Sequence, residues 1–328
     1  MRPTSNSTLQ RRTLLRAAAA ASLLPLPFAA VRAQAQFPSK PIKMIVPLPA
    51  GGAADISGRV LGDTMAGTLG QPIVADNKPG GLFSIGMQAL TNSPADGYTL
   101  IHLNPVMCSM QVVHKKYDLR QLAPIGLMGA TDMLIMAGAK APFKTLPDML
   151  AWAKANPGKL NYGTLGPGSL EHLTMVTLLG QADATGTNVP FKGGPDGAVA
   201  LAQNEIHVMP LATPLYIQFK ERLVPLAVNR IDRSPFVPDV PTLAEMKVNV
   251  PPVSYWGGLA ATPGTPPEVI AQLEQAMAAA VANPELKKRF APMGLGASFE
   301  SGKALQQRIA ADLAWMSEAA RVAQVTSS

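Results

Sequence analysis

Ile42-Lys43-Met44-Ile45-Val46-Pro47-Leu48-Pro49-Ala50-Gly51-Gly52 decides the fold of this chain. A short apolar strand runs into a Pro/Gly loop, and helical periodicity follows at once. Ile56, Val60, Leu61 and Met65 recur at i, i+4, i+5 and i+9, which predicts a helix over residues 53–69. Gly70-Gln71-Pro72 stops it, and Ile73-Val74-Ala75 starts a second strand. Asp96-Gly97 marks a turn before a third strand over residues 98–102. Strand, helix, strand in that order predicts an α/β fold with a parallel sheet and right-handed crossovers.

The pattern restarts downstream. Thr145 is a good N-cap for a helix running to Asn156-Pro157-Gly158, with Asp148 three residues on. A strand over residues 160–163 leads into Thr164-Leu165-Gly166-Pro167-Gly168-Ser169 and a helix carrying Leu170, Leu173, Met175, Val176 and Leu179. Val189-Pro190-Phe191-Lys192-Gly193-Gly194 is a third junction from strand to glycine, with a helix expected from Ala198. Strands are expected over residues 206–209, 223–228 and 256–261. Helices are expected over 268–281, from Pro284, and over 303–323. The order predicts two α/β modules, the second inserted within the first.

Export is written at the start. Residues 1–35 hold five arginines and no acid, an uncharged stretch over 17–31, and Ala33-Gln34-Ala35. That is the layout of a secretory signal cleaved near Ala35. Gln10-Arg11-Arg12-Thr13-Leu14-Leu15-Arg16 also has the form of a twin-arginine signal, so the Sec and twin-arginine routes both stay open. Without this segment the net charge falls from +7 to +2, too little for a concentrated nucleic-acid footprint. With 47% hydrophobic and 15% charged residues, the chain can bury a core. Its single cysteine, Cys108, excludes an internal disulfide and a thiolate metal cage, and is expected in the core beside Met107 and Met110.

The glycine junctions carry the chemistry. A helix N-terminus exposes unpaired N–H groups and partial positive charge, so it holds carboxylate or phosphate without a cationic side chain. Two such loops facing one cleft would clamp a small anion. No G-x-G-x-x-G or phosphate-loop motif is present, which disfavours a nucleotide. His102, His114, His172 and His207 show no metal-ligand spacing. Ser169 and His172 stand three apart at a helix start, the raw material of a secreted serine hydrolase, but no G-x-S-x-G surrounds Ser169. Ser169 reads better as a helix cap, and Lys192 as a rim residue.

Taken in order, these blocks resemble the extracytoplasmic solute-binding proteins of tripartite tricarboxylate transporters, the Bug receptors. The likeness begins at Phe37-Pro38-Ser39-Lys40-Pro41-Ile42-Lys43 and runs through Val46 to Asp55, then Leu69-Gly70-Gln71-Pro72-Ile73-Val74 and Ala95-Asp96-Gly97-Tyr98-Thr99-Leu100. It continues with Asn156-Pro157-Gly158-Lys159-Leu160-Asn161-Tyr162-Gly163, Gly168-Ser169-Leu170-Glu171-His172-Leu173 and Val189-Pro190-Phe191-Lys192-Gly193. Arg233-Ser234-Pro235, Asp239-Val240-Pro241-Thr242, Trp256-Gly257-Gly258-Leu259 and Pro263-Gly264-Thr265-Pro266 complete it.

The resemblance implies a two-lobed periplasmic binding fold of the Venus-flytrap, type II-like kind, with a ligand cleft between lobes. Residues 36–138 and 256–328 would form one lobe and 139–255 the other, with chain crossings near 137–142 and 253–256. It implies a monomeric receptor, not an enzyme, with no cofactor and no metal, delivering a small organic acid to membrane permease subunits. A periplasmic sensor for a signalling partner is the alternative. The implied ligand residues are Leu48, Pro49, Ala50, Gly51, Gly52, Asp55 and Asn104 on one side. Thr164, Gly166, Gly168, Ser169, His172, Phe191 and Leu211 are implied on the other. Leu211 stands where family members often carry an aspartate, and residues 80–86 lack the family's asparagine. Both departures imply a ligand with an apolar body, such as an aromatic or branched-chain carboxylate.

Overall fold

The structure is a computed structural model, described here over residues 37–322 together with 324 and 325; the expected signal segment lies outside the described residues. Strand β1 (Ile42–Val46) pairs in parallel with β2 (Ile73–Asn77) and β3 (Thr99–Leu103). Helix α1 (Ala53–Leu69) connects β1 to β2. Its Gly58 and Gly62 lie against Met44, His102 and Ile73, so the helix sits close to the sheet. Helix α2 (Ser84–Thr91) follows β2, and α3 (Pro105–His114) follows β3.

The organising element is β4 (Ala123–Gly138), 16 residues long. Its first part, up to Asp132, pairs antiparallel with β9 (Ser254–Ala261) and β10 (Gly296–Ser301). From Met133 it pairs with β7 (Val208–Ala212) and β8 (Leu223–Val228). The crossing expected at 137–142 thus begins at the end of this strand, in the part already paired with β7 and β8. No such strand was expected, because Pro124, Gly126 and Gly129 interrupt the alternation. The interruptions are bulges in the pairing with β9. Gly129 has φ +131°, and a Cβ there would collide with the backbone of Gly296, so only glycine fits.

The chain between β4 and β9 builds the second half. Helix α4 (Leu146–Ala155) is capped by Thr145, whose hydroxyl accepts from Asp148 N–H at 3.2 Å. Strands β5 (Leu160–Thr164) and β6 (Gly186–Pro190) run parallel and flank α5 (Leu170–Gln181). Helix α6 (Gly194–Gln203) starts earlier than Ala198, because Gly193 is its N-cap and Pro195 sits in its first turn. Strand β7 falls later than residues 206–209, and the short helix α7 (Thr213–Phe219) follows it. Beyond β9 come α8 (Pro267–Ala282), α9 (Pro284–Phe290) and α10 (Gly302–Val322).

One sheet therefore runs β2-β1-β3-β9-β4-β7-β5-β6, with β8 and β10 added on β4. Two apolar clusters fill the half around β1, β3 and β9, and two fill the half around β5 and β7. Cys108 lies in the first of these with Met107 and Met110, and burial pushes its thiol well above the ordinary range. Among the described residues no helix is long and apolar enough to cross a membrane.

Candidate functional site

The loop over residues 48–52 joins β1 to α1 and is braced from behind. The Asp55 carboxylate accepts from Gly51 N–H at 3.0 Å, from Asn77 Nδ2 at 3.0 Å and from Arg59 Nε at 2.9 Å. Asn77 Nδ2 also donates to the Leu48 carbonyl at 3.0 Å. Asp55 thus spends its oxygens on the loop and its supports. Gly52, the N-cap of α1, brings no side-chain cap, so the first N–H groups of the helix are left for another acceptor.

Those N–H groups border a cavity of about 100 Å³. The half around β1 contributes Leu48, Pro49, residues 52–54 and Ser57, His102 and Asn104, residues 128–131 and 255–257, Phe290, Leu295 and Gly296. The other half contributes Leu165, Glu171, Gly194, Pro195, Met209, Leu211, Ala212 and Leu215. Among the described residues the wall is mostly apolar and holds no lysine or arginine.

Three buried polar side chains on this wall lack partners. Asn104 caps α3, its Oδ1 accepting from Val106 N–H at 3.1 Å and Met107 N–H at 3.3 Å, but its Nδ2 donates to nothing. Both ring nitrogens of His102 are unpaired; burial pulls its pKa from 6.5 down to about 4, so the ring is neutral at pH 7. Glu171 is 2% exposed. Its Oε1 accepts from the Tyr255 hydroxyl at 2.8 Å, while its Oε2 has no partner. Burial raises the Glu171 pKa against the opposing pull of its own backbone N–H, of the Tyr255 and Ser169 hydroxyls and of the Leu165 N–H. Each unpaired group is expensive unless a ligand or water meets it.

The loop over residues 164–169 contributes less. Thr164 is turned to Asn188 at 2.6 Å and to Gly166 N–H at 3.0 Å. Gly168 packs on Val113 of α3, and the His114 ring meets the Pro167 carbonyl at 2.9 Å. Ser169 is fully buried and caps α5, accepting from His172 N–H at 3.2 Å. His172 accepts from Gly168 N–H at 3.0 Å through Nδ1 and stacks on Tyr162, ring centroids 6.2 Å apart. No nucleophile–base hydrogen bond joins Ser169 to the His172 ring. Of this segment only Leu165 and Glu171 reach the cavity.

Facing the 48–52 loop is the third glycine junction instead. A Cβ on Gly193 would stand 3.0 Å from the Pro49 ring, and one on Gly52 would stand 3.7 Å from the Pro195 ring. A second cavity of about 380 Å³ opens beside the first, sharing Leu48, Pro49 and Leu165 with it. Phe191, Lys192 and residues 79–83 line this outer space. Of the residues singled out from the sequence, Leu48, Pro49, Gly52, Asn104 and Leu211 line the inner cavity and Phe191 the outer. Ala50, Gly51, Asp55, Thr164, Gly166, Gly168, Ser169 and His172 lie outside both linings. His102, Glu171 and Tyr255 were not singled out. Glu171 is the sole acid between residues 160 and 181, which is the one sequence signal that marks it.

The TctC family, described as the tripartite tricarboxylate transporter family receptor, matches residues 57–320. A protein from Cupriavidus necator, the UPF0065 protein in the gbd 5' region, is 35% identical over 292 residues, covering 86% of this chain and 88% of its own. The periplasmic binding protein BugD superposes with a TM-score of 0.82 at 26% identity, covering 88% of this chain and 99% of its own. The Rhodopseudomonas palustris protein Rpa4515, solved with adipate, superposes with a TM-score of 0.83 at 25% identity over the same shares. The fold is that of the two-lobed periplasmic binding proteins, and the chain belongs to the tripartite tricarboxylate transporter receptor family.

Proposed function

We propose that the mature chain is a periplasmic receptor that captures a small monocarboxylate with an apolar body and passes it to membrane permease subunits. The observation that carries this is the pairing of an uncapped α1 N-terminus with the buried, unpartnered Asn104 amide on one cavity wall. Both are donors, and no other strong acceptor meets them. A carboxylate satisfies them together without a cationic side chain. The surrounding Leu48, Leu165, Met209, Leu211 and Leu215 suit a branched or aromatic body. The adipate found in Rpa4515 supports the carboxylate class.

Capture works by bringing the halves together. The cavity takes its wall from both, and β4 passes from one to the other at Asp132 and Met133. A ligand that touches both walls favours their approach by its differential affinity for the closed arrangement. The protein acts as a monomer after removal of residues 1–35. A thermal-shift panel of benzoate, 3-methylbutanoate, adipate, citrate and aspartate tests this. Stabilisation by the first two is expected. Selective stabilisation by aspartate overturns the apolar-body assignment, and no shift with any acid overturns the carboxylate assignment.

A further inference from the structure

Among the described residues Glu171 is the one acid on the wall of a cavity whose proposed ligand is itself an acid. Burial pushes the Tyr255 hydroxyl well above its ordinary value, so it keeps its proton and donates it to Glu171 Oε1. That leaves Oε2, unpartnered on a side chain that lines the cavity, as the atom that carries any proton on Glu171. With His102 neutral and no lysine or arginine among the described lining residues, the α1 N-terminus and the Asn104 amide offset one negative charge and no group is left to offset a second. Two carboxylates in contact in such a place do not both ionise.

We infer, on the carboxylate reading above, that Glu171 meets its ligand as the acid, its Oε2–H donating to the ligand carboxylate, so that capture takes up one proton from solvent. No covalent bond to carbon forms or breaks; the proton is held in an O–H···O⁻ hydrogen bond of the short, strong type. The groups around Glu171 allow this. Tyr255 of β9 and Ser169 at the α5 N-cap are hydroxyls. His102 of β3 is neutral, and Asn104 is an amide. His172, next along α5, has Nδ1 occupied by Gly168 N–H. On α10, Arg308 and Asp312 pair with each other at 3.5 Å. Within the lining, Glu171 is then the acid, its pKa raised by burial, whose protonation state binding can change.

Calorimetric titration with benzoate and 3-methylbutanoate in phosphate and in Tris, buffers of different ionisation heat, counts the protons. Over pH about 5.5 to about 9, uptake is expected to climb towards one per ligand, and affinity to fall about tenfold per pH unit above the free Glu171 pKa. Glu171→Gln keeps an acceptor for Tyr255 and puts a permanent N–H donor where the unpartnered Oε2 stands. Its affinity is expected to stop falling with pH, with no proton taken up. Binding by the wild-type protein with no uptake anywhere in the range overturns the inference, and so does an unchanged pH slope in Glu171→Gln. Tighter, pH-independent binding of 2-hydroxy-3-methylbutanoate, lost in Glu171→Gln, also overturns it, because Oε2 would then be accepting from a ligand hydroxyl. Absence of binding by every acid at every pH strikes the carboxylate assignment itself, a result distinct from binding without uptake.

Discussion

Replacing Asp55 with alanine separates the support of the cleft from the cleft itself. The carboxylate is 5% exposed and takes three hydrogen bonds, from Gly51 N–H, Asn77 Nδ2 and Arg59 Nε. Arg59 is 47% exposed, so its ion pair contributes only about 0.3–0.5 kcal/mol. Gly51 is exposed, and its N–H can turn to water. The Asn77 bond and the charge-assisted part of the Gly51 bond together are worth about 2 kcal/mol. For a chain of this size that lowers Tm by roughly 4 °C. The loop also loses its tether, and re-ordering about one residue's backbone on binding costs ~1–2 kcal/mol, close to tenfold in Kd. Differential scanning calorimetry and titration with the best acid of the panel measure both. Arg59→Ala, which leaves the Asp55 bonds to Gly51 and Asn77 in place, is expected to shift Tm by under about 1 °C and Kd hardly at all. If Asp55→Ala and Arg59→Ala behave alike in both assays, the bracing role is refuted.

Four further outcomes follow from named contacts. Gly193→Ala places a methyl 3.0 Å from the Pro49 ring and wedges the halves apart, weakening binding about tenfold, whereas Gly52→Ala, with its nearest contacts at 3.7 Å, folds with unchanged Tm; equal effects on Tm and Kd would sink this. Asp132 accepts from Arg230 Nη1 at 2.7 Å and from the Ser234 hydroxyl, so Asp132→Ala strands a buried hydroxyl and costs about 2–3 kcal/mol in urea unfolding. His102 has a folded pKa of about 4 against 6.5, so it binds its proton more readily unfolded; its contribution is complete above pH 6.5 and is lost as pH falls towards 4, about 2–3 kcal/mol by pH about 4.5. His102→Leu should flatten that part of the acid limb in urea unfolding compared between the two pH values. Ser169→Ala removes the α5 cap and costs about 1 kcal/mol of stability, with Kd for the best acid unmoved; abolition of an esterase activity present in the wild type would show that Ser169 is more than a cap.

Elements with punctuation at both ends were readable from the sequence. Strand β1 and helix α1 fall where the apolar run and the Gly52 and Gly70 stops place them, and Thr145 starts α4 as its cap chemistry demands. Strand β4 was not readable. Its Pro124, Gly126 and Gly129 look like a broken loop, and only β9 and β10 alongside turn those breaks into bulges. Helix α3 left a signal unused: Asn104 followed by Pro105 is an N-cap with proline at the first helical position. In the site, the glycine junctions were legible because glycine and helix periodicity are local. Glu171 and Tyr255 were not, since they meet across 84 residues of chain. Nothing near either residue says which way its side chain will be buried.

One local cap and one long-range pairing explain why the cleft holds its polar groups half-paired. Asn104 is fixed by capping α3, and Glu171 by the Tyr255 hydroxyl, so each has one half committed to the scaffold and the other half free. A rotamer change that satisfied Nδ2 or Oε2 internally would break a cap or a buried hydrogen bond, at about 1 kcal/mol or more. The scaffold thus holds the donors at a fixed place before any ligand arrives, and binding need not order them. The walls carry these groups from opposite halves, with Asn104 after β3 and Glu171 on α5. On the proposed reading, one carboxylate that reaches both bridges the halves, and the strand that connects them is β4, which changes partners between Asp132 and Met133. Recognition on that reading adds to contacts that already cross between the halves, such as Tyr255 to Glu171 and His114 to Pro167, so the hydrogen bonds that select an acid also favour the closed arrangement.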